Sequence, residues 1–305
     1  MAIQNKIPLI NVGASLKQRK IKQYLISFLF VLPALINFLI FRYYPIIWSA
    51  RASFWRYSLL GGFQGFVGWD NFIRLFHDPY FWQSMGVTVK YFVMYVPSVV
   101  LLALALAVFS NQKKPGMEAI RALIFIPVVT SFVVVSIIWG MLLNKDVGLV
   151  NGVLQTFGLP RISFLMNKHN ALPTIVLISI WKNVGYSVIV LVAGLKGVPN
   201  EFYEASIVDG ANGWQQFWHI TIPMISRQLM FVIVWATLAA FQVFIPIYSL
   251  TNGGPSRATN VIVYYIYSKA FKFGEMGYAS AMSIVLLLII LLVSVFQMRL
   301  FKRDY

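Results

Sequence analysis

The chain has 305 residues, of which 59% are hydrophobic and only 11% charged, and its mean hydropathy is +0.74. Soluble domains usually contain about 25% charged residues, so this composition excludes a soluble globular protein and indicates a membrane protein. The formal net charge is +16, and the absence of cysteine excludes disulfide scaffolds, cysteine-ligated metal sites and thiol nucleophiles.

Six apolar segments are long enough to cross a bilayer, because the hydrocarbon core is about 30 Å thick and each helical residue rises about 1.5 Å. In chain order they are 24–41, 91–109, 122–143, 171–195, 229–250 and 277–298. The sequence therefore predicts an all-α membrane protein with six transmembrane helices. The first segment is too long for a signal peptide and no cleavage site follows it, so it is interpreted as a retained signal-anchor.

The distribution of basic residues predicts cytoplasmic termini. Six spans place both termini on one side, which carries thirteen of the 25 lysines and arginines against ten on the other. The dense cluster Lys17–Lys22 adjoins the first span, where the positive-inside rule has most force. We expect a multi-pass protein of the cytoplasmic (inner) membrane, with residues 1–22 forming a basic cytoplasmic arm at the lipid headgroups.

The connection 196–228 between the fourth and fifth spans is far longer than two antiparallel helices need. Pro199-Asn200-Glu201 predicts a helix start, in which Asn200 caps the free amides and Glu201 complements the positive end of the dipole. Gly210 is expected to end this helix. One face of it contains Phe202, Ala205, Ser206 and Asp209.

A second short helix is predicted after this turn. Its apolar face contains Trp214, Phe217 and Trp218, and Pro223 is expected to break the pattern. Amphipathicity alone leaves open a hairpin that lies on the membrane surface without a partner. Small and acidic residues on the first helix favour instead the close approach of a basic protein.

The spacing of several residues in this connection is similar to that of a known sequence motif. Glu204-Ala205-Ser206, three residues, Gly210, nine residues and Ile220-Thr221-Ile222-Pro223 follow one another. This order resembles the EAA motif of ATP-binding-cassette importer permeases, which is Glu-Ala-Ala, three residues, Gly, nine residues and Ile-x-Leu-Pro. Ser206 and Ile222 depart from the motif, whereas the frequent Asp209 and Ala211 are present.

The resemblance extends over the chain from about Gln23 onwards. Leu250–Pro255 and Gly277–Ala281 look like the sugar-permease branch of this family, which contains the larger maltose-permease subunit and its glycerol-phosphate relatives. Gly68–Phe72 and Gly148–Asn151 are similar to weaker signatures of the same branch. The resemblance implies a type I importer permease fold with a cytoplasmic coupling helix.

The resemblance also implies a transport subunit that is not itself an enzyme. The sequence has no phosphate-binding loop, so ATP and Mg would be bound by other chains and this chain would bind no cofactor or metal. The implied partners are a second related permease, two ATPase subunits, an extracytoplasmic solute-binding protein, an oligosaccharide and membrane lipid. No feature indicates a nucleic acid.

By the same resemblance, 201–220 would be the coupling helix seated in a cleft of one ATPase. Glu204 would form an ion pair with an arginine of the ATPase, Ala205 and Ser206 would allow close packing, and Gly210 would form the turn. The full set of implied coupling residues is Glu204, Ala205, Ser206, Asp209, Gly210, Ala211, Ile220 and Pro223.

Polar and aromatic groups at membrane depth are the candidates for a substrate pathway, because aromatic rings suit sugar faces and amides suit sugar hydroxyls. On the fourth and fifth spans they are Trp181, Lys182, Asn183, Tyr186, Thr237, Phe241 and Gln242. The last three are expected to share one helix face. Interhelical packing is an equally good explanation for each residue singly. Lys182 should be paired, snorkel or face water.

The outer loops carry ten basic residues and four acidic ones, a net charge of +6. This favours an anionic cargo or an acidic docking protein. Within the family, a uronate oligosaccharide fits best, and the alginate oligosaccharide importer is the specific system suggested. A neutral oligosaccharide and glycerol phosphate remain alternative cargoes. An alternative explanation of the loop arginines is that they contact only lipid headgroups.

Three other classes are disfavoured. An ion-coupled secondary transporter would normally carry intramembrane carboxylates, yet none of the six segments contains Asp or Glu. A membrane-embedded enzyme would need a catalytic constellation that these segments lack. A purely structural subunit would leave the coupling motif without a purpose.

Overall fold

A computed structural model describes residues 12–112 and 114–300 of the chain, with side chains from residue 20 onwards. The elements in chain order are α1 (Val12–Phe38), α2 (Tyr44–Ala52), β1 (Trp55–Ser58), β2 (Gly62–Phe66), α3 (Asp70–His77), α4 (Pro79–Ser110), α5 (Met117–Val129), α6 (Phe132–Leu142), α7 (Leu149–Thr156), α8 (Ala171–Lys196), α9 (Asn200–Val208), α10 (Gly213–Gln216), α11 (Ile222–Met224), α12 (Ser226–Phe241), α13 (Ile245–Leu250), α14 (Ile262–Tyr267) and α15 (Met276–Leu300). Three π-helical turns occur at Leu39–Tyr43, Phe217–Thr221 and Ser268–Lys272.

Four of the six predicted spans are continuous helices, the third is a bent pair, and the fifth, predicted at 229–250, is interrupted between Phe241 and Ile245. The continuous ones are Lys20–Ala52, Pro79–Ser110, Ala171–Lys196 and Met276–Leu300. The predicted third span is bent by 96° between Met117–Val129 and Phe132–Leu142, and a 72° bend separates Gly213–Met224 from Ser226–Phe241. The fold is therefore a bundle of membrane-spanning helices, as the composition predicts.

Local chemistry explains the bend in the third span, which the sequence prediction treated as one straight helix. Pro127 lies in the last turn of α5, where it removes a backbone donor. Thr130 then adopts an extended backbone, and its Oγ1 donates to the carbonyl oxygen of Pro127 at 2.6 Å. Because the chain leaves α5 in this way, α6 starts in a new direction at Phe132.

Helix α8 lies at the centre of the bundle, where it packs against α4 and α5. Much of its surface is buried, including Ile175, Val188 and Leu191. Gly185 allows the close approach of α5, since a Cβ atom at this position would overlap the carbonyl oxygen of Ile124. Helix packing with small residues at the contact is typical of membrane proteins.

Helix α1 has a different environment, because almost every side chain described between Lys20 and Trp48 is exposed. Contact with the bundle begins only at the end of α2, where Ala52 is buried. Gly277 of α15 lies so close that a Cβ atom there would overlap the carbonyl oxygen of Trp55. The helix begins at Val12, so it includes part of the predicted arm 1–22; residues 1–11 lie outside the described residues.

Polar contacts tie the bundle together on the side opposite the 197–225 connection, which we call the outer side. Asp78 caps α4 by accepting a hydrogen bond from the Tyr80 amide at 2.9 Å. It also accepts hydrogen bonds from the hydroxyls of Tyr265 at 2.6 Å and Tyr278 at 2.7 Å. Asp78 therefore links the start of α4 to α14 and α15.

Candidate functional site

The connection 197–225 contains two short helical units that are fastened to each other. Ser206 on α9 donates to the carbonyl oxygen of Tyr203 at 2.7 Å and accepts a hydrogen bond from Gln216 Nε2 at 2.9 Å. The hydroxyls of Tyr203 and Thr221 lie 3.0 Å apart. Ser206 thus fastens the two units internally, in addition to any contact with another chain.

The turn between the units forms at Gly210, as the sequence predicts. Gly210 has φ +79°, in the left-handed region, and the amide of Ala211 donates to the carbonyl oxygen of Ser206 at 2.8 Å. Asn212 and Gln215 then form a reciprocal capping box. The pattern Asn-x-x-Gln in the sequence is a signal for this cap that the sequence analysis did not use.

Two expectations for this connection are wrong. Asn200 is the first residue of α9 and not its cap, because Pro199 precedes the helix in an extended backbone and no side chain caps it. Pro223 does not break the second helix, which runs from Gly213 to Met224 through a π-helical turn. The 72° bend follows at Ile225, two residues after Pro223.

One surface of this connection is free to contact another protein. Glu204, Ala205 and Asp209 are exposed on α9 and at its end. Beside them are apolar side chains that the sequence analysis passed over, of which Val208 is 88% and Trp214 70% exposed. We call this the coupling surface, defined by Glu204, Ala205, Ile207, Val208, Asp209 and Trp214.

The other proposed coupling residues support the connection from within. Ile220 is partly buried and packs against the main core of the bundle. Ala211 and Pro223 are also partly buried. Their positions hold the coupling surface at a fixed place relative to α8 and α12.

At membrane depth the structure brings Asn183 and Gln242 together. Both line a cavity of about 350 Å³ between α4, α8 and the break that follows α12. Asn183 Nδ2 donates to the hydroxyl of Tyr95 at 3.3 Å. Aromatic walls and amide groups in one cavity suit the faces and hydroxyls of a sugar.

Four aromatic residues of this cavity were missed by the sequence analysis. They are Tyr91, Tyr95, Phe132 and Phe244. The rings of Tyr91 and Tyr95 stack with centroids 5.5 Å apart on α4. Two tyrosines four residues apart in a predicted span were a usable signal for such a pair.

Thr237 and Phe241 do not join Gln242, so the expected shared face of the fifth span is wrong. Helix α12 ends at Phe241, which puts Gln242 beyond the helical repeat. Thr237 is fully buried and accepts a hydrogen bond from Gln297 Nε2 at 2.9 Å. Phe241 is buried against Phe92, with ring centroids 5.4 Å apart. Both residues therefore pack helices together.

The aromatic candidates of α8 also lie apart from this cavity. Trp181 packs edge-on against Trp139 at 5.6 Å and lines a separate apolar cavity of about 670 Å³. Tyr186 packs against Trp235 on α12 at 5.2 Å. The two residues lie on the accessible side of α8, but they do not line the cavity that contains Asn183 and Gln242.

Lys182 has a specific partner at membrane depth. Its Nζ donates to the carbonyl oxygen of Val128 at 3.0 Å. That carbonyl belongs to the last turn of α5, where it has no helical partner and where the helix dipole is negative. The ammonium group also lies 5.6 Å from the ring centroid of Phe132, at the wall of the cavity. Lys182 therefore joins the bent third span to α8.

Several outer cations have local partners. Arg74 and Lys269 both contact Glu275, at 2.9 and 3.2 Å, and Arg161 lies 3.8 Å from Asp146. Arg257 lies 3.6 Å from the ring centroid of Tyr80. The predicted outer charge of +6 is thus spread over several local contacts, in which Glu275 and Asp146 offset part of it.

The chain is similar to known transport proteins over most of its length. Residues 80–303 match the family described as binding-protein-dependent transport system inner membrane component. The probable ABC transporter permease protein YurN of Bacillus subtilis (strain 168) is 37% identical over 92% of this chain and 97% of its own. The arabinooligosaccharides transport system permease protein AraP of the same species is 33% identical over 90% of this chain and 87% of its own.

A solved structure is similar over nearly the whole chain. It is that of a bacterial alginate ABC transporter in complex with an alginate pentasaccharide-bound periplasmic protein. The match has a TM-score of 0.80 at 27% sequence identity and covers 94% of this chain and 99% of that chain. The helical bundle described above is therefore shared with a transporter subunit.

Proposed function

The chain belongs to the binding-protein-dependent transport system inner membrane component family, as a sugar-type ABC importer permease, and we propose that its cargo is an acidic oligosaccharide. The observation that carries this proposal is the cavity around Asn183 and Gln242, with aromatic walls and the ammonium group of Lys182 at its edge. Rings would stack on the aromatic walls, amides would bind hydroxyls, and the nearby cation would favour carboxylates.

The coupling surface is suited to contact a separate subunit that hydrolyses ATP. Its carboxylates at Glu204 and Asp209, flanked by Val208 and Trp214, suit a cleft with basic and apolar groups on an ATPase subunit. ATP and Mg would be bound there and not by this chain. We propose that closure of two such ATPases moves the coupling surface, and that α8 and α12 transmit the motion to the cavity.

Further partners follow from the remaining surfaces. The exposed apolar length of α1 would be covered by a second, related permease and by lipid. An extracytoplasmic solute-binding protein would deliver cargo to the outer side. On this topology both termini are cytoplasmic, as the basic cluster Lys17–Lys22 favours.

A neutral oligosaccharide is the second candidate cargo, because no charged side chain lines the described cavity itself. The relative named for arabinooligosaccharides is compatible with that choice. Glycerol phosphate is disfavoured by the number of aromatic side chains in the cavity wall, which suit several sugar rings better than a single small polyol.

The test is ATPase stimulation of the reconstituted complex by its solute-binding protein, across uronate and neutral oligosaccharides of equal length. Stimulation by uronates alone is expected. Stimulation by neutral sugars alone would overturn the acidic cargo and keep the importer assignment. Absence of an ATPase or a second permease from the purified complex would overturn the proposed assembly.

A further inference from the structure

A cluster of four aromatic side chains extends from the wall of the cavity towards the outer side. We call it the aromatic ladder and define it as Phe244, Tyr248, Tyr267 and Phe271. Phe244 lies 5.4 Å from Tyr248 and 5.0 Å from Tyr267, measured between ring centroids. Tyr267 in turn lies 5.5 Å from Tyr248 and 5.2 Å from Phe271.

The ladder is continuous with the substrate cavity, because Phe244 belongs to both. Phe244 lies in the break between α12 and α13, Tyr248 on α13, and the other two rings on α14 and the π-helical turn after it. At the outer end the rings are open: Tyr248 is 42% and Phe271 58% exposed. The ladder therefore forms a route of aromatic surface from the outer side to the cavity.

A cation lies beside this route. Lys272 Nζ is held 2.8 Å from the hydroxyl of Tyr264 and 5.1 Å from the centroid of that ring. The neighbouring Lys269 pairs with Glu275. Within residues 20–112 and 114–300, no carboxylate is paired with Lys272, whose side chain is exposed. Lys272 is thus available to an anion.

This arrangement differs from a belt of membrane anchors. Anchoring tyrosines at a bilayer surface place single rings among the headgroups. Here two phenylalanines and two tyrosines from separate elements contact one another and lead to an internal cavity. Stacked rings with an available ammonium group match a ligand that has apolar ring faces and carboxylates.

We propose that the aromatic ladder and Lys272 form an outer binding site for an acidic oligosaccharide, through which the cargo enters the cavity. The ladder binds the faces of the sugar rings, and Lys272 pairs with a carboxylate. The site deepens the proposed function and rests on it. Lys272 determines specificity for charge, whereas the rings bind neutral and acidic sugars alike.

The first experiment measures initial uptake into proteoliposomes that contain the full complex and saturating, loaded solute-binding protein. The cargo is a uronate oligosaccharide or the same oligosaccharide with its carboxylates reduced to alcohols. Lys272→Gln is expected to lower uronate uptake about tenfold, the effect of losing one charged hydrogen bond, and to leave uptake of the reduced sugar nearly unchanged. Tyr248→Leu and Tyr267→Leu should slow both cargoes. Lys168→Gln, an exposed outer lysine away from the ladder, is the matched control.

The second experiment detects the contact directly. A water-soluble carbodiimide activates a carboxylate, and an amine then displaces the urea to form an amide, fastest where the carboxylate is bound next to the amine; mass spectrometry of the assembled complex then locates the sugar adduct. We expect more uronate adduct on Lys272 than on the exposed Lys168, and we expect excess carboxyl-reduced oligosaccharide, which cannot be coupled, to lower the adduct on Lys272 alone.

Two results would overturn the site. One is equal uptake of both cargoes by the Lys272→Gln complex at the rate of the unsubstituted complex. The other is a Lys272 that an amine acylating reagent cannot reach in the assembled complex, which would mean that a partner subunit covers the ladder. Neither result would affect the importer assignment, which depends on the copurified ATPase and its stimulation.

Discussion

Lys182 is the residue whose environment says most about how this permease uses a charge in the membrane. An ammonium group in lipid is costly unless it is paired or hydrated. The hydrogen bond to the carbonyl oxygen of Val128 gives it a partner at the end of α5. The primary role that this geometry supports is therefore to position the bent third span, and an influence on cargo follows from that position.

We predict that Lys182→Met destabilises the purified complex by about 1–2 kcal/mol, because the Val128 carbonyl loses its donor. Thermal unfolding in detergent measures this loss. Lys182→Arg, which keeps a donor, should recover part of the stability. If Lys182 acted only on the cargo, Lys182→Met would slow uptake of uronates with no change in the unfolding temperature.

Asp78 gives a prediction about pH. Burial opposes its ionisation, but hydrogen bonds from Tyr265 and Tyr278 and from the amides of Tyr80 and Phe81 outweigh it and hold the pKa of Asp78 below its ordinary value of 3.8. A lowered folded pKa contributes stability above the unfolded value, and this contribution is lost as the pH falls through the folded pKa.

The contribution of Asp78 should accordingly be constant at neutral pH and disappear below about pH 4. Thermal unfolding measured from pH 3 to pH 7 tests this. The unfolding temperature of Asp78→Asn should be lower than that of the unsubstituted chain at pH 7, and the difference should shrink in acid. A difference that grows in acid would contradict the assignment.

At the scale of elements, the sequence predicts helices and turns correctly where the signal lies within a single helix or turn. The fourth span was predicted at 171–195 and is observed as Ala171–Lys196, because the apolar run is long enough to cross a bilayer and Pro173 lies only in its first turn, where it does not break the helix. The turn at Gly210 was also predicted, since a left-handed residue is most readily glycine.

The mispredicted parts include a local signal that was missed and a grouping that depends on tertiary contacts. Pro246, in the first turn of α13, has no amide to donate to the carbonyl oxygen of Gln242 four residues earlier, so it is a local signal for the break after Phe241. The cavity exists because of that break. Asn183 could be chosen as a candidate from its type, but its grouping with Tyr95 and Gln242 required the packing of three separate segments.

The coupling surface depends on the turn at Gly210, which supplies an element-scale prediction. Gly210→Ala forces a side chain into the left-handed region at a local cost of about 1–2 kcal/mol, which should distort the coupling surface and reduce ATPase stimulation severalfold without loss of assembly. Gly213→Ala is the matched control, because its φ is negative and its Cβ would meet nothing within 4 Å. Equal stimulation by both variants would show that the turn does not transmit the motion.

At the scale of the whole molecule, the bundle is incomplete on one side. Helix α8 is buried on several faces, whereas α1 is exposed along most of its length, and Phe30 is 83% exposed. Lipid can cover such a helix, but α1 is joined to the rest of the chain only near its outer end. A second permease packed against it would fix its orientation through many small contacts.

We predict that α1 contacts the second permease, and a photoreactive benzoylphenylalanine at Phe30 tests this because that side chain points away from its own bundle. Illumination of the assembled complex should join the chain to the other permease. The same group at Leu60, which is fully exposed at the tip of the hairpin between β1 and β2, should not form that product. Adducts with lipid alone at Phe30 would mean that α1 is an anchor in the bilayer, and the second permease would then have to pack against the accessible side of α8, where Trp181 and Ile189 are exposed.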